Sequence, residues 1–143
     1  MASARDLIAI MRSVLIADDS PLMRRAIRAQ LERAGIETIS EATDGFEAIA
    51  KVLTVHPDLV ILDIAMLRLN GLDTIKELRK LRPNLPVILH TQYADAVRSL
   101  GPLKGVTEVV AKGTPLIPIV LALIGPGGPN APSTAEGDSY PQT

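Results

Sequence analysis

Short strand-like runs alternate with longer segments of helical periodicity five times along this chain, and that alternation leaves few folds open. The runs lie at 14–17, 37–42, 59–63, 87–91 and 106–111. Val14-Leu15-Ile16-Ala17 and Leu59-Val60-Ile61-Leu62 are continuously apolar, the mark of strands buried on both faces. Between them, Met23, Ala26, Ile27, Leu31 and Ala34 recur at helical spacing, opened by Asp19-Ser20-Pro21, which could be only an N-cap, and closed by Gly35. Asp44-Gly45 opens a second helix carrying Ala48, Ile49, Val52 and Leu53, which stops before Pro57. Leu72, Ile75, Leu78 and Leu81 pattern a third over 71–81. A short, poorly patterned helix at 94–100 ends at Gly101-Pro102, and a last one spans 115–124. Strands alternating with helices across short loops predict an α/β domain: a parallel sheet, right-handed crossovers and helices on both faces.

A chain of 143 residues, 47% hydrophobic, suffices for one such domain, expected at 13–124. Residues 1–12 read as a short leader with an apolar stretch. Residues 125–143, rich in Pro, Gly and Ser without apolar periodicity, read as a disordered tail with no second domain. A net charge of −1, cations scattered over helices and 2% aromatic residues argue against a nucleic-acid surface. Arg24, Arg25 and Arg28 read as the solvated face of a helix. No apolar stretch is long enough to cross a bilayer, and no export signal is legible. The lack of cysteine fits a reducing cytoplasm.

In open parallel sheets, ligands bind beyond the carboxyl ends of the strands. Asp18, Asp19, Asp63, Thr91 and Lys112 all fall at such ends. Carboxylates gathered there repel unless a cation neutralises them, and hard oxygen ligands suit Mg²⁺. Lys112 adds a compact positive charge and Thr91 a hydroxyl donor. Asp63, on the central strand, is the natural nucleophile toward a phosphoryl group, whose loose transition state needs positioning and charge neutralisation.

These residues carry a resemblance. Ile16-Ala17-Asp18-Asp19-Ser20, Leu62-Asp63-Ile64-Ala65-Met66 leading to Asn70-Gly71, Thr91 after Val87-Ile88-Leu89-His90, and Lys112 after Val109-Val110-Ala111 resemble the receiver domain of two-component response regulators, of the stand-alone chemotaxis type. The resemblance covers roughly 12–124 and implies a flavodoxin-like five-stranded sheet of order 2-1-3-4-5. It implies Asp63 as phosphoacceptor and a metal held by Asp18, Asp19, Asp63 and the backbone carbonyl of Ala65. Thr91 is then the switch hydroxyl and Lys112 the counter-ion. The implied function is a single-domain phosphorelay module, not a metabolic enzyme. It takes phosphate from a sensor histidine kinase or histidine phosphotransfer protein and signals to a downstream protein by contact.

Four positions depart from the family pattern. Val109 stands where an aromatic residue is usual, Gly113 and Leu67 where prolines are common, and Gln92 where a small residue is usual and a large one crowds the site. Val109 and Gln92 motivate an alternative, a degenerate receiver acting as an interaction module without phosphorylation. A haloacid-dehalogenase-type phosphohydrolase also uses Asp, Thr, Lys and Mg²⁺, but needs Asp-x-Asp after its first strand, where this chain has Asp18-Asp19-Ser20. His56 and His90 lack partners at ligand spacing and read as structural. From 113 to 135 no residue is charged, and the 115–124 helix is apolar all round. Its outer face is expected to meet a second copy in a homodimer, another protein, or the apolar leader.

Overall fold

The computed structural model describes residues 12–66 and 68–125. The leader and tail fall outside these, apart from Arg12 and Gly125, as does Leu67. Strands β1 (Ser13–Ala17), β2 (Thr38–Ala42), β3 (Leu59–Leu62), β4 (Val87–Thr91) and β5 (Glu108–Ala111) form one sheet. Every pairing is parallel, and the order is the expected β2-β1-β3-β4-β5. Helices α1 (Pro21–Arg33), α2 (Gly45–Val55), α3 (Gly71–Leu81), α4 (Ala94–Arg98) and α5 (Ile117–Ile124) connect and cover it.

The two-residue period of a strand explains the continuous apolar runs. Val14, Ile16, Leu59, Ile61 and Ile88 pack with Ile27 and Leu31 of α1 and Val120 and Ile124 of α5. Leu15, Val60, Leu62, Val87 and Leu89 face the other way, toward Val52 of α2, Ile75 and Leu78 of α3 and Val97 of α4. Both faces are therefore core. Each fully buried Leu or Ile contributes about 1.5–3 kcal/mol.

Local chemistry sets the helix ends. Ser20 caps α1, its Oγ accepting from Met23 N at 3.1 Å. Asp44 caps α2 and Asn70 caps α3 in the same way. Gly35, at φ +89°, ends α1. Ile36 N donates to Leu31 O and Gly35 N to Glu32 O, both at 3.0 Å, so the last carbonyls are satisfied by a left-handed turn. His56 (φ 48°) closes α2 in the same conformation, an exposed structural role.

Several expectations shift. β3 stops at Leu62: Asp63 still gives its amide to Ala17 O (2.9 Å), and the chain turns out of the ladder after it. β5 starts at Glu108 rather than 106, since Val106 is taken up in a turn to Leu103 O. α4 ends at Arg98, short of Gly101-Pro102. α5 starts at Ile117, after Leu116 N bonds to the Gln30 side chain at 3.0 Å. Arg24 and Arg28 are not a solvated face: their Nε atoms grip Glu41 of β2 at 2.8 and 2.7 Å, and only Arg25 of the three is exposed. Burial would raise the Glu41 carboxyl, but the bonds from Arg28 and Arg24 outweigh it and hold it low. Four of the cations do gather in one place: Lys76, Arg79 and Lys80 of α3 line one hollow with Lys104. Around α5, Leu116, Val120 and Ile124 are buried while Pro118 and Ala122 are exposed. No described helix is long and apolar enough to cross a membrane.

Candidate functional site

Parallel strands deliver their carboxyl ends to one rim, and the acidic residues meet there. Asp18 follows β1, its amide bonded to Ala42 O at 3.1 Å, and Asp63 follows β3. One carboxylate oxygen from each of Asp18, Asp19 and Asp63 lies within 4.8 Å of the others. Asp18 and Asp63 are 1% and 5% exposed, and Asp19 is the most accessible. At that spacing each charged pair repels by roughly 3 kcal/mol for an effective dielectric of about 20.

Lys112, after β5, is the one cation paired with the cluster's carboxylates among the described residues. Its Nζ donates to Asp63 Oδ2 at 3.1 Å and lies 3.4 Å from Asp18 Oδ2. Burial alone would lower the Lys112 ammonium, but the Asp63 bond and both carboxylate charges outweigh it and raise its pKa. Asp18 is raised chiefly by burial and further by Asp63, against the opposing Ser20 amide and Lys112. Thr91 joins through the backbone, its carbonyl accepting from Lys112 N at 3.0 Å. Its fully buried Oγ1 accepts from Tyr93 N, also at 3.0 Å. Ala65 N donates to Asp63 Oδ1 at 3.2 Å, which bends the loop back under the carboxylate.

The donor set fits a hard divalent cation. Three carboxylates against one ammonium leave two negative charges uncompensated, and buried Asp18 Oδ2 accepts no hydrogen bond. Capping does not use up the acidic pair, because Ser20 performs it and Asp18 Oδ1 accepts from Ser20 N at 2.9 Å. Gln92 is exposed to solvent. Gly113 takes φ +97°, which no proline can adopt, so the turn after Lys112 runs differently from one built on proline.

Residue types alone did not single out three supports of the site. Arg24 Nη1 donates to Asp18 O at 2.7 Å, tethering the acidic loop to α1. Gly71 lets α3 press against the loop: a Cβ there would lie 2.6 Å from Asp63 O and Ile64 Cα. Arg68, at φ 69°, pairs with Asp44 at 3.0 Å and stacks over Phe46, tying the loop after Asp63 to α2. Only Gly71 left a sequence signal, an Asn-Gly helix start.

Comparisons with known proteins agree with this geometry. A family profile described as the response regulator receiver domain matches residues 14–119. The chemotaxis protein CheY of Thermotoga maritima is 42% identical over 78 residues, covering 54% of this chain and 65% of the relative. A protein-glutamate methylesterase/protein-glutamine glutaminase of Geobacter metallireducens is 38% identical over 87 residues, 60% of this chain and 24% of the relative. The chain thus spans less than two thirds of either relative. Among crystal structures, the response regulator TrrA of Thermotoga maritima, in complex with Mg²⁺ and BeF, superposes with a TM-score of 0.66 at 30% identity, covering 79% of this chain and 96% of that one. A response regulator described as putative, from Chloroflexus aurantiacus, gives 0.73 at 25% identity, covering 79% and 97%. With the profile running from β1 into α5 and the sheet order shared, the chain belongs to the response regulator receiver domain family of two-component systems.

Proposed function

We propose that the chain is a phosphoacceptor of a two-component phosphorelay. It takes a phosphoryl group onto Asp63 from the phosphohistidine of a sensor histidine kinase or a histidine phosphotransfer protein, in the cytoplasm. Asp18, Asp19, Asp63 and the Ala65 carbonyl would hold Mg²⁺. The observation that carries this reading is the Asp63 carboxylate, 3.1 Å from the Lys112 ammonium within a three-carboxylate cluster. TrrA's crystallisation with Mg²⁺ and BeF supports it by likeness.

In the proposed transfer, a carboxylate oxygen of Asp63 forms the new P–O bond as the phosphohistidine P–N bond breaks. The electron pair returns to the imidazole, which takes up a proton. When bound, Mg²⁺ supplies charge neutralisation for the carboxylates and the incoming phosphoryl oxygens. Lys112 pairs with the phosphoryl group, and the Ala65 amide and Lys112 keep the Asp63 carboxylate oriented before it reacts. The Thr91 hydroxyl, engaged with the Tyr93 amide, rotates to donate to a phosphoryl oxygen. That rotation alters the β4–α4 connection, and a downstream protein reads the altered surface by contact.

Incubation with a small phosphodonor and Mg²⁺, followed by intact-mass measurement, tests the proposal. One added phosphoryl group is expected, lost in Asp63→Asn and with chelator. An unmodified chain under these conditions, in protein shown to be folded, refutes phosphoacceptance and leaves an interaction module.

A further inference from the structure

The groove beside α3 is built differently from the phosphoacceptor rim. α4 has only five residues, and no helix or strand follows it until Glu108. Loop therefore covers the sheet face beside α3, with Leu103 and Val106 packed on the core. Arg79 straps that loop to α3: its guanidinium donates to Gly105 O at 3.0 and 2.5 Å, to Leu85 O at 2.5 Å, and to the carbonyls of Arg82 and Pro83. Gly105, at φ +89°, permits the close approach, since a Cβ would stand 2.7 Å from Ile75 Cγ2. Two adjoining hollows of about 630 and 840 Å³ remain, sharing Ile75, Lys76 and Lys104. Together they form one groove, from Ile64 and Ala65 beside Asp63 to Pro83 beyond the far end of α3.

Its charge is one-sided. Lys76, Lys80 and Lys104 surround it with Arg79 beneath, and Asp73, at the rim end, is the one acidic lining residue among those described. Lys104 has no carboxylate partner among the described residues. The pairs Lys76–Asp73 (4.0 Å) and Lys80–Glu77 (3.1 Å) are exposed and hold their lysines weakly. Among the described residues, Arg79 is met only by carbonyls. The whole chain carries −1, so overall composition does not account for this concentration. The floor is hydrocarbon, from Leu72, Ile75, Leu103 and Val106.

Cations at the rim call for anionic groups, and the floor calls for apolar side chains between them. Among the described residues no aromatic side chain lines the groove, so these supply none of the stacking platform that single-stranded nucleic acid uses. We infer that this groove docks a segment of a partner protein in which acidic and apolar side chains alternate. The eleven residues of α3 run about 16 Å, the span of about five extended residues. The docking chemistry does not depend on phosphorylation.

Selection of short random peptides against the immobilised full chain, with amide chemical-shift mapping of the enriched sequences, tests the inference. Enriched peptides should interleave Asp or Glu with Leu, Ile or Met and shift amides of α3 and of 103–106. Binding should weaken roughly tenfold or more in the exposed triple variant Lys76→Glu, Lys80→Glu, Lys104→Glu. The corresponding glutamine variant serves if the reversal unfolds, judged by circular dichroism. No enrichment, peptides without acidic excess, or binding that survives charge removal overturns the inference. So does displacement of every peptide to another face, or a groove that takes a single-stranded oligonucleotide and no peptide.

Discussion

His90 carries a quantitative prediction about acid stability. It points to the α1–α5 side of the sheet, is 3% exposed, and its buried Nδ1 has no hydrogen-bond partner. Burial, then the Lys112 charge, lowers its pKa from 6.5 to about 4, against a smaller opposing effect of Asp63. The unfolded chain therefore binds this proton near pH 6.5, and the folded chain refuses it until about pH 4. Above the unfolded value both states are neutral and His90 costs nothing. As pH falls below it, stability drops by about 1.4 kcal/mol per pH unit, until the folded side chain also protonates. The linkage amounts to about 2 kcal/mol at pH 5 and about 3 kcal/mol at pH 4 and below. Urea denaturation of the parent and His90→Gln, without metal, at pH 7.5 and pH 5 isolates the effect, because the carboxylates are common to both. The parent should lose about 2 kcal/mol more than the variant between these conditions. Equal losses would mean that the imidazole reaches a proton acceptor or water when folded, and the burial reasoning would fail.

Two further outcomes follow from the carboxylate cluster and its supporting backbone. The raised Asp18 pKa means that folding disfavours its charged form, so Asp18→Asn should stabilise the metal-free protein at pH 7 while weakening Mg²⁺ binding. Thermal melts should then show about 2.7 kcal/mol of stabilisation of the parent at a hundredfold excess of Mg²⁺ over its Kd, and a much smaller gain in the variant. Gly71→Ala should destabilise by about 2 kcal/mol and weaken Mg²⁺ binding, because its Cβ would force α3 off the Asp63 carbonyl. Urea melts with a parallel Mg²⁺ titration check both halves.

Much of the fold was readable because apolar runs and helical spacing report local geometry directly. Expectation and structure part in some places because a non-local partner claims a group, and in others because a local turn takes up the backbone. Gln30 takes the Leu116 amide ahead of α5, and Val106 is drawn into a turn to Leu103 O ahead of β5. Arg24 and Arg28 read as a solvated face because nothing along the chain says that Glu41 of β2 stands beside them. The shared position of Asp18, Asp19, Asp63, Thr91 and Lys112 was legible for a different reason: each lies at or just past the carboxyl end of a strand, and parallel strands share a rim. Their distances were not legible, nor was the Thr91 hydroxyl's engagement with Tyr93.

By itself, then, the order of residues determined a parallel α/β sheet with Asp18, Asp19, Asp63, Thr91 and Lys112 at its carboxyl edge, because periodicity and strand ends are properties of neighbouring residues. Tertiary structure alone decided how close the charges come, that His90 is shut away from protons, and that Lys104 joins three cations of α3 around an apolar floor. Desolvation and Coulomb energies depend on distances between residues far apart in the chain, and only the packed sheet and helices set those distances.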